Sequence, residues 1–123
     1  MSAARLLIVD DELALLDLLK RYLERLGYEV DVASTAEDAL ARFETDPLRY
    51  ACVLTDLVLP GINGEELLER MRAKNPKLRA LVSSGYPYEP RSKKTLFLQK
   101  PYVPKMLAET LESLLGGSKT RGA

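Results

Sequence analysis

Val53-Leu54-Thr55-Asp56-Leu57-Val58-Leu59-Pro60-Gly61 is the stretch on which the reading of this chain turns. The apolar run from Ala51 to Leu54 reads as a buried strand, a lone carboxylate follows, and Pro60-Gly61 ends any regular element. Asp56 therefore sits at the carboxyl end of a strand. A charge buried there is costly unless a metal, a cation or a chemical task goes with it. For one such residue alone, an Asp that tightens the turn into the next helix is the competing explanation. The rest of the chain weighs against it.

The same pattern stands upstream. Leu6-Leu7-Ile8-Val9 is a continuous apolar run that ends in two adjacent carboxylates, Asp10 and Asp11. From Glu12 onward Leu15, Leu16, Leu19, Leu23 and Leu26 recur at helical spacing, and Leu13, Leu18 and Tyr22 widen the stripe. Lys20, Arg21, Glu24 and Arg25 form the other face, and Gly27 closes the helix. Tyr28 to Ala33 reads as a second strand. Ser34-Thr35-Ala36-Glu37 has the form of a capping box for a second helix through about Glu44, with Ala36, Ala39, Leu40 and Phe43 inward.

Downstream of the break at Asp46-Pro47, the central strand runs from Ala51 to Thr55. Asn63 can cap a third helix with Glu66 at its third position, and Leu67, Leu68 and Met71 supply its buried side up to Asn75-Pro76. Leu78 to Val82 is a fourth strand, ending in Ser83-Ser84-Gly85. Leu96-Phe97-Leu98 is a fifth, ending in Gln99-Lys100-Pro101. Pro104 opens the last helix, which runs through Met106, Leu107, Leu111 and Leu114 to Gly116-Gly117. One domain over residues 1–117 and a polar, disordered tail over 118–123 are expected.

Near-continuous apolar strands alternating with helices imply an α/β fold, a doubly wound five-stranded parallel sheet of order 2-1-3-4-5. Ligands of such sheets bind beyond the carboxyl ends of the strands, at the switch between strands 1 and 3. Asp10, Asp11 and Asp56 gather there. Crowded carboxylates favour a hard cation, Mg2+ with Mn2+ as a substitute, whose remaining ligands are commonly phosphate oxygens. Lys100 and Ser84 lie at the same edge, and an ammonium and a hydroxyl suit a phosphoryl group's other oxygens. An Asp carboxylate can itself be the nucleophile, forming an aspartyl-phosphate.

Composition narrows the chemistry further. Eighteen basic and eighteen acidic residues give zero net charge and a pI near 6.3, which argues against a chain built to grip nucleic acid or an anionic membrane. The one cysteine, Cys52, lies inside the central apolar run, as expected of a buried thiol in a reducing compartment. No apolar stretch is long enough to span a bilayer, and a cytoplasmic location is expected. With no histidine, zinc hydrolases and Ser-His or Cys-His nucleophiles are excluded.

From about Leu6 to Leu115 the chain resembles the flavodoxin-like, CheY-like receiver domains of bacterial two-component response regulators and hybrid histidine kinases. The resemblance rests on Ile8-Val9-Asp10-Asp11-Glu12, Thr55-Asp56-Leu57-Val58-Leu59-Pro60-Gly61, Ser84-Gly85-Tyr86 and Leu98-Gln99-Lys100-Pro101-Tyr102. It implies that Asp56 takes a phosphoryl group from a histidine kinase or a histidine phosphotransfer protein. Asp11 would bind Mg2+ directly and Asp10 largely through water, with Asp56 and the backbone carbonyl of Val58 as further ligands. Ser84 and Lys100 would contact the phosphoryl oxygens, Phe97 would change rotamer on activation, and the peptide before Pro101 would be cis. Ser84 replaces the commoner Thr, and it is preferred to Ser83 because Gly85-Tyr86 follows. On this reading the protein assists its own phosphorylation and dephosphorylation rather than turning over an external substrate.

One departure stands out. Residues 85–94 hold Pro87 and Pro90 where the family places its fourth helix, so that helix is expected to be missing or a single turn. An irregular loop bearing Arg91, Lys93 and Lys94 would replace it and remodel the surface that carries the signal to a protein partner. For that loop an acidic partner surface suits better than DNA. Two other functions remain open to the sequence: a pseudo-receiver that acts as a phosphorylation-independent interaction module, and a small magnesium phosphohydrolase.

Overall fold

Strands β1 (Arg5–Val9), β2 (Glu29–Ala33), β3 (Cys52–Asp56), β4 (Arg79–Ser84) and β5 (Thr95–Gln99) form one all-parallel sheet of order β2-β1-β3-β4-β5. The structure is a computed structural model and describes residues 4–116. Helices α1 (Leu13–Arg25), α2 (Ala36–Thr45), α3 (Gly64–Lys74) and α4 (Pro104–Leu114) complete the described elements. The doubly wound fold read from the sequence is the one observed. Gly117 and the expected tail, 118–123, lie outside the described residues.

Strand alternation divides the apolar residues between two cores. Leu7, Val9, Val53, Ala80 and Val82 face one way and pack with Phe43 of α2 and Leu67, Leu68 and Met71 of α3. Leu6, Ile8, Cys52, Leu54 and Leu81 face the other way, toward Leu16, Leu19 and Leu23 of α1 and Leu107 and Leu111 of α4. Burying both faces is what makes the strands read as unbroken apolar runs.

Local chemistry sets the helix ends, with one shift from expectation. The cap of α2 is Thr35 rather than Ser34, and its Oγ1 accepts the Asp38 N–H at 3.0 Å. Asn63 caps α3 as expected, its Oδ1 accepting the Glu66 N–H at 2.8 Å. Gly27, at φ 102°, takes the left-handed conformation that ends α1 at low steric cost. The apolar stripe of α1 is narrower than expected. Leu16, Leu19 and Leu23 fill the contact with the sheet, and Leu13, Leu18 and Leu26 are left exposed, as is Met106 on α4.

The β4–β5 crossover is the irregular feature. Residues 85–94 contain turns and bends but no helix, consistent with Pro87 and Pro90. Two contacts tie this connection to α3 and the turn after it: Arg91 Nη1 pairs with Glu69 Oε2 at 3.0 Å, and Lys94 Nζ donates to the Pro76 carbonyl at 2.7 Å. Tyr88 packs edge-on against Phe97 of β5 and against the core beneath α2 and α3. Among the described residues no helix is long and apolar enough to cross a membrane.

Candidate functional site

The β1–β3 pairing, with Val9 opposite Thr55, brings the residues that follow each strand side by side. Asp10, Asp11 and Asp56 each offer a carboxylate oxygen, and these oxygens lie within 4.8 Å of one another. Asp10 is buried, Asp11 exposed and Asp56 half-buried. Asp10 Oδ1 accepts the Glu12 N–H at 2.9 Å, which holds that carboxylate at the top of β1. Asp56 Oδ1 faces the Val58 N–H at 3.4 Å, and the Val58 side chain itself is exposed.

Lys100 reaches this group from the end of β5. Its Nζ donates to Asp10 Oδ2 at 3.1 Å and to Asp56 Oδ2 at 3.3 Å. Its backbone is held by a Lys100 N–H bond to the Ser84 carbonyl at 2.8 Å, and the Lys100–Pro101 peptide is cis, as the resemblance implied. Burial pushes the Asp56 carboxyl above its ordinary pKa; the Lys100 ammonium opposes this and the Asp10 charge adds to it. For Lys100, burial works against the charged form, but the Asp10 and Asp56 carboxylates outweigh it and raise its pKa. The pocket therefore holds an ammonium between two of its three acids.

The two serines part company. Ser83 lines the small recess beneath Asp10 and Asp56, together with Thr55 and Tyr102, and its carbonyl accepts the Leu57 N–H at 2.7 Å. Ser84, fully buried, turns its Oγ to the Tyr86 N–H at 2.9 Å. Its hydroxyl thus joins the end of β4 to the irregular connection. Phe97 is half-buried on β5, edge-on to Tyr88, so it touches that connection rather than the carboxylates.

Gly64 belongs with these residues, and the sequence reading passed over it. Its N–H donates to the Leu57 carbonyl at 2.7 Å. A Cβ at this position would collide with the Asp56 carbonyl oxygen and come 3.1 Å from Leu57 Cα. Only glycine lets α3 begin this close to the end of β3. Its signal was visible as a helix whose first residue, directly after the Asn63 cap, is a poor helix former.

A cleft of about 390 Å3 between the start of α2 and α3 is lined by Thr35, Leu40, Pro60, Ile62 and Arg70 and contains none of the clustered acids. A groove of about 200 Å3, lined by Glu12, Leu15, Lys100, Pro101 and Tyr102, borders the carboxylates instead. The chemistry on offer is therefore an oxygen-only donor set beside a lysine. Such a set fits a hard divalent cation, with the exposed Asp11 as a further ligand.

Residues 6–112 match the response regulator receiver domain family. The chain is 30% identical over 115 residues to the transcriptional regulatory protein FixJ of Bradyrhizobium diazoefficiens, a match that takes in 88% of this chain and 55% of FixJ. It spans about half the length of that relative. Its fold superposes on the receiver domain of the hybrid histidine kinase CckA with a TM-score of 0.83 at 33% identity, covering 91% of this chain and 99% of that one. The response regulator TrrA of Thermotoga maritima, solved in complex with Mg2+ and BeF, gives 0.77 at 29% identity, covering 90% of this chain and 98% of that one. The chain belongs to the response regulator receiver domains of two-component signal transduction.

Proposed function

We propose that Asp56 is a phosphoacceptor that takes a phosphoryl group from the phosphohistidine of a histidine kinase or histidine phosphotransfer protein. The observation that carries this reading is the Lys100 ammonium held between Asp10 and Asp56 at the carboxyl edge of the sheet. In the transfer, the P–N bond to the donor imidazole breaks as a P–O bond to Asp56 forms, and the imidazole nitrogen takes up a proton. Lys100 stands where it can neutralise charge on the phosphoryl oxygens, and catalysis of this kind is mainly positioning and charge neutralisation.

Asp10, Asp11, Asp56 and the Val58 carbonyl are the groups that would hold Mg2+, or Mn2+ in its place. When bound, the ion supplies electrostatic stabilisation to phosphoryl oxygens in line with the carboxylates' own donor chemistry. TrrA's complex with Mg2+ and BeF supports the assignment, since that structure shares the fold. Ser84 would give its O–H to a phosphoryl oxygen and keep the Tyr86 N–H as donor to its Oγ. That arrangement links the state of Asp56 to residues 85–94 and to Phe97, and through them to a protein partner.

A free, buried Cys52 supports a cytoplasmic setting. Incubation with acetyl phosphate and Mg2+ followed by intact-mass measurement tests the proposal. Addition of one phosphate that disappears in Asp56→Asn is the expected result. No adduct under any condition supports the pseudo-receiver instead, and rapid turnover of an outside phosphoester supports the phosphohydrolase.

A further inference from the structure

At the end of the sheet opposite Asp56, five cations lie near one another without acidic partners among the described residues. Lys74 ends α3, Lys77 lies in the turn that follows, and Arg79 opens β4. The Lys94 ammonium reaches the Pro76 carbonyl at 2.7 Å, which sets Lys94 and its neighbour Lys93 against that same turn. The Ala80–Thr95 register then puts Arg79 alongside Lys94. All five are exposed. Most other bases in the described chain are matched by an acid: Arg5, Lys20, Arg21, Arg42, Arg49, Arg70, Arg91 and Lys100 all form ion pairs. In a chain of zero net charge, an unpaired cluster of this kind is a departure from the way its charges are otherwise arranged.

We infer that this patch is a docking surface for an acidic, extended segment of a partner protein. Two observations favour a peptide over a polyanionic duplex. The exposed carboxylate of Asp46, next to the Pro47 that Asn75 ties to the turn after α3, forms no ion pair among the described residues and would repel a broad anionic face while admitting a narrow strand. And Leu48, 77% exposed, lies beside it, because Asn75 Nδ2 donates to the Pro47 carbonyl at 3.0 Å. One apolar residue within the acidic segment would cover it. Docking here leaves the Asp56 edge free for a phosphoryl donor, so both partners can bind at once. The inference does not depend on phosphorylation, and failure of Asp56 labelling would leave it standing.

The test uses the full chain and a fluorescein-labelled peptide of about ten residues, mostly Glu with a central Leu, read by anisotropy. Saturable binding is expected at about 50 mM salt, weakening roughly tenfold by about 200 mM. Combined Lys77→Glu, Arg79→Glu and Lys93→Glu substitutions should abolish it. Arg25→Glu with Lys105→Glu, which reverse two unpaired bases elsewhere on the surface, should leave it within about twofold. Amide shifts on titration are expected at residues 74–79 and 91–95. The inference fails if no binding is seen at low salt, or if the control reversal weakens it as much as the patch reversal. It fails equally if a short DNA duplex or phosphatidylserine vesicles bind the patch more tightly than the peptide.

Discussion

Tyr88 meets Phe97 edge-on, with ring centroids 6.1 Å apart and ring planes inclined at 61°. Tyr88 thereby pins the irregular connection to β5 and to the core beneath α2 and α3. Tyr88 is only half-buried, yet its hydroxyl oxygen is buried and has no hydrogen-bond partner among the described residues. A buried hydroxyl without a partner costs roughly 1 kcal/mol or more. Tyr88→Phe is therefore expected to hold or raise stability by up to about 1 kcal/mol, whereas Tyr88→Ala should lose about 2–3 kcal/mol of ring packing. Chemical denaturation distinguishes the two. A Phe variant clearly less stable than the parent would show that the hydroxyl has a partner after all.

Gly64→Ala is expected to destabilise by at least about 1–3 kcal/mol, because the obstacle is the Asp56 backbone rather than a side chain that can swing aside. The strain falls on the acceptor residue itself. Phosphate incorporation from acetyl phosphate should drop with it, even at temperatures where circular dichroism shows the variant folded. Full stability together with full labelling in the Ala variant would mean that α3 can shift away from β3 freely.

Much of this was legible before any coordinates. The strands were readable because both faces of the sheet are buried, and Asp10, Asp11, Asp56 and Lys100 were readable because each stands within two residues of the end of such a run. What escaped had no apolar or spacing signal. Ser83, Ser84, Thr95 and Gln99 are polar residues that pair within the sheet, so β4 and β5 proved longer than expected. Leu13, Leu18 and Leu26 lie outside the arc that α1 turns to the sheet, a limit that leucine spacing alone did not reveal. The closeness of Gly64 to Asp56, and the meeting of Arg79 with Lys94, depend on strand register and loop path.

Tyr50 carries a pH prediction at the far side of the sheet. Burial, reinforced by its 2.6 Å hydrogen bond to Asp31, pushes its hydroxyl from 10.0 up to about 12. Tyr102 is raised to about 12 as well, chiefly by burial. Between those values the folded state holds protons that the unfolded state has released, so stability falls as pH rises through that window. The slope is at most about 1.4 kcal/mol per pH unit for each group. Tyr50→Phe should flatten this decline while costing some stability at neutral pH through the lost hydrogen bond. Urea midpoints taken across the alkaline range measure it, and an unchanged slope would remove Tyr50 from the account.

Asp56 and Lys100 give opposite expectations at neutral pH. Because burial raises the Asp56 carboxyl above its unfolded value, the folded state binds that proton more tightly and stability declines as the group ionises. Asp56→Asn should therefore raise the melting temperature at pH 7 by roughly 2–6 °C, a gain that shrinks as pH falls through the carboxylate range. The raised pKa of Lys100 means that its contribution is complete below its ordinary value of 10.5 and is lost only above it. Lys100→Met leaves Asp10 and Asp56 facing each other with no cation and should cost about 1–2 kcal/mol at pH 7. Much of that cost should vanish when Asp56→Asn is added, since one of the two facing charges is then gone. The same Lys100→Met variant is expected to lose at least about tenfold in the rate of labelling by acetyl phosphate, far more than its stability change explains. Parental labelling kinetics in a folded Lys100→Met protein would separate the ion pairs from the chemistry and reduce Lys100 to a structural brace between two strands.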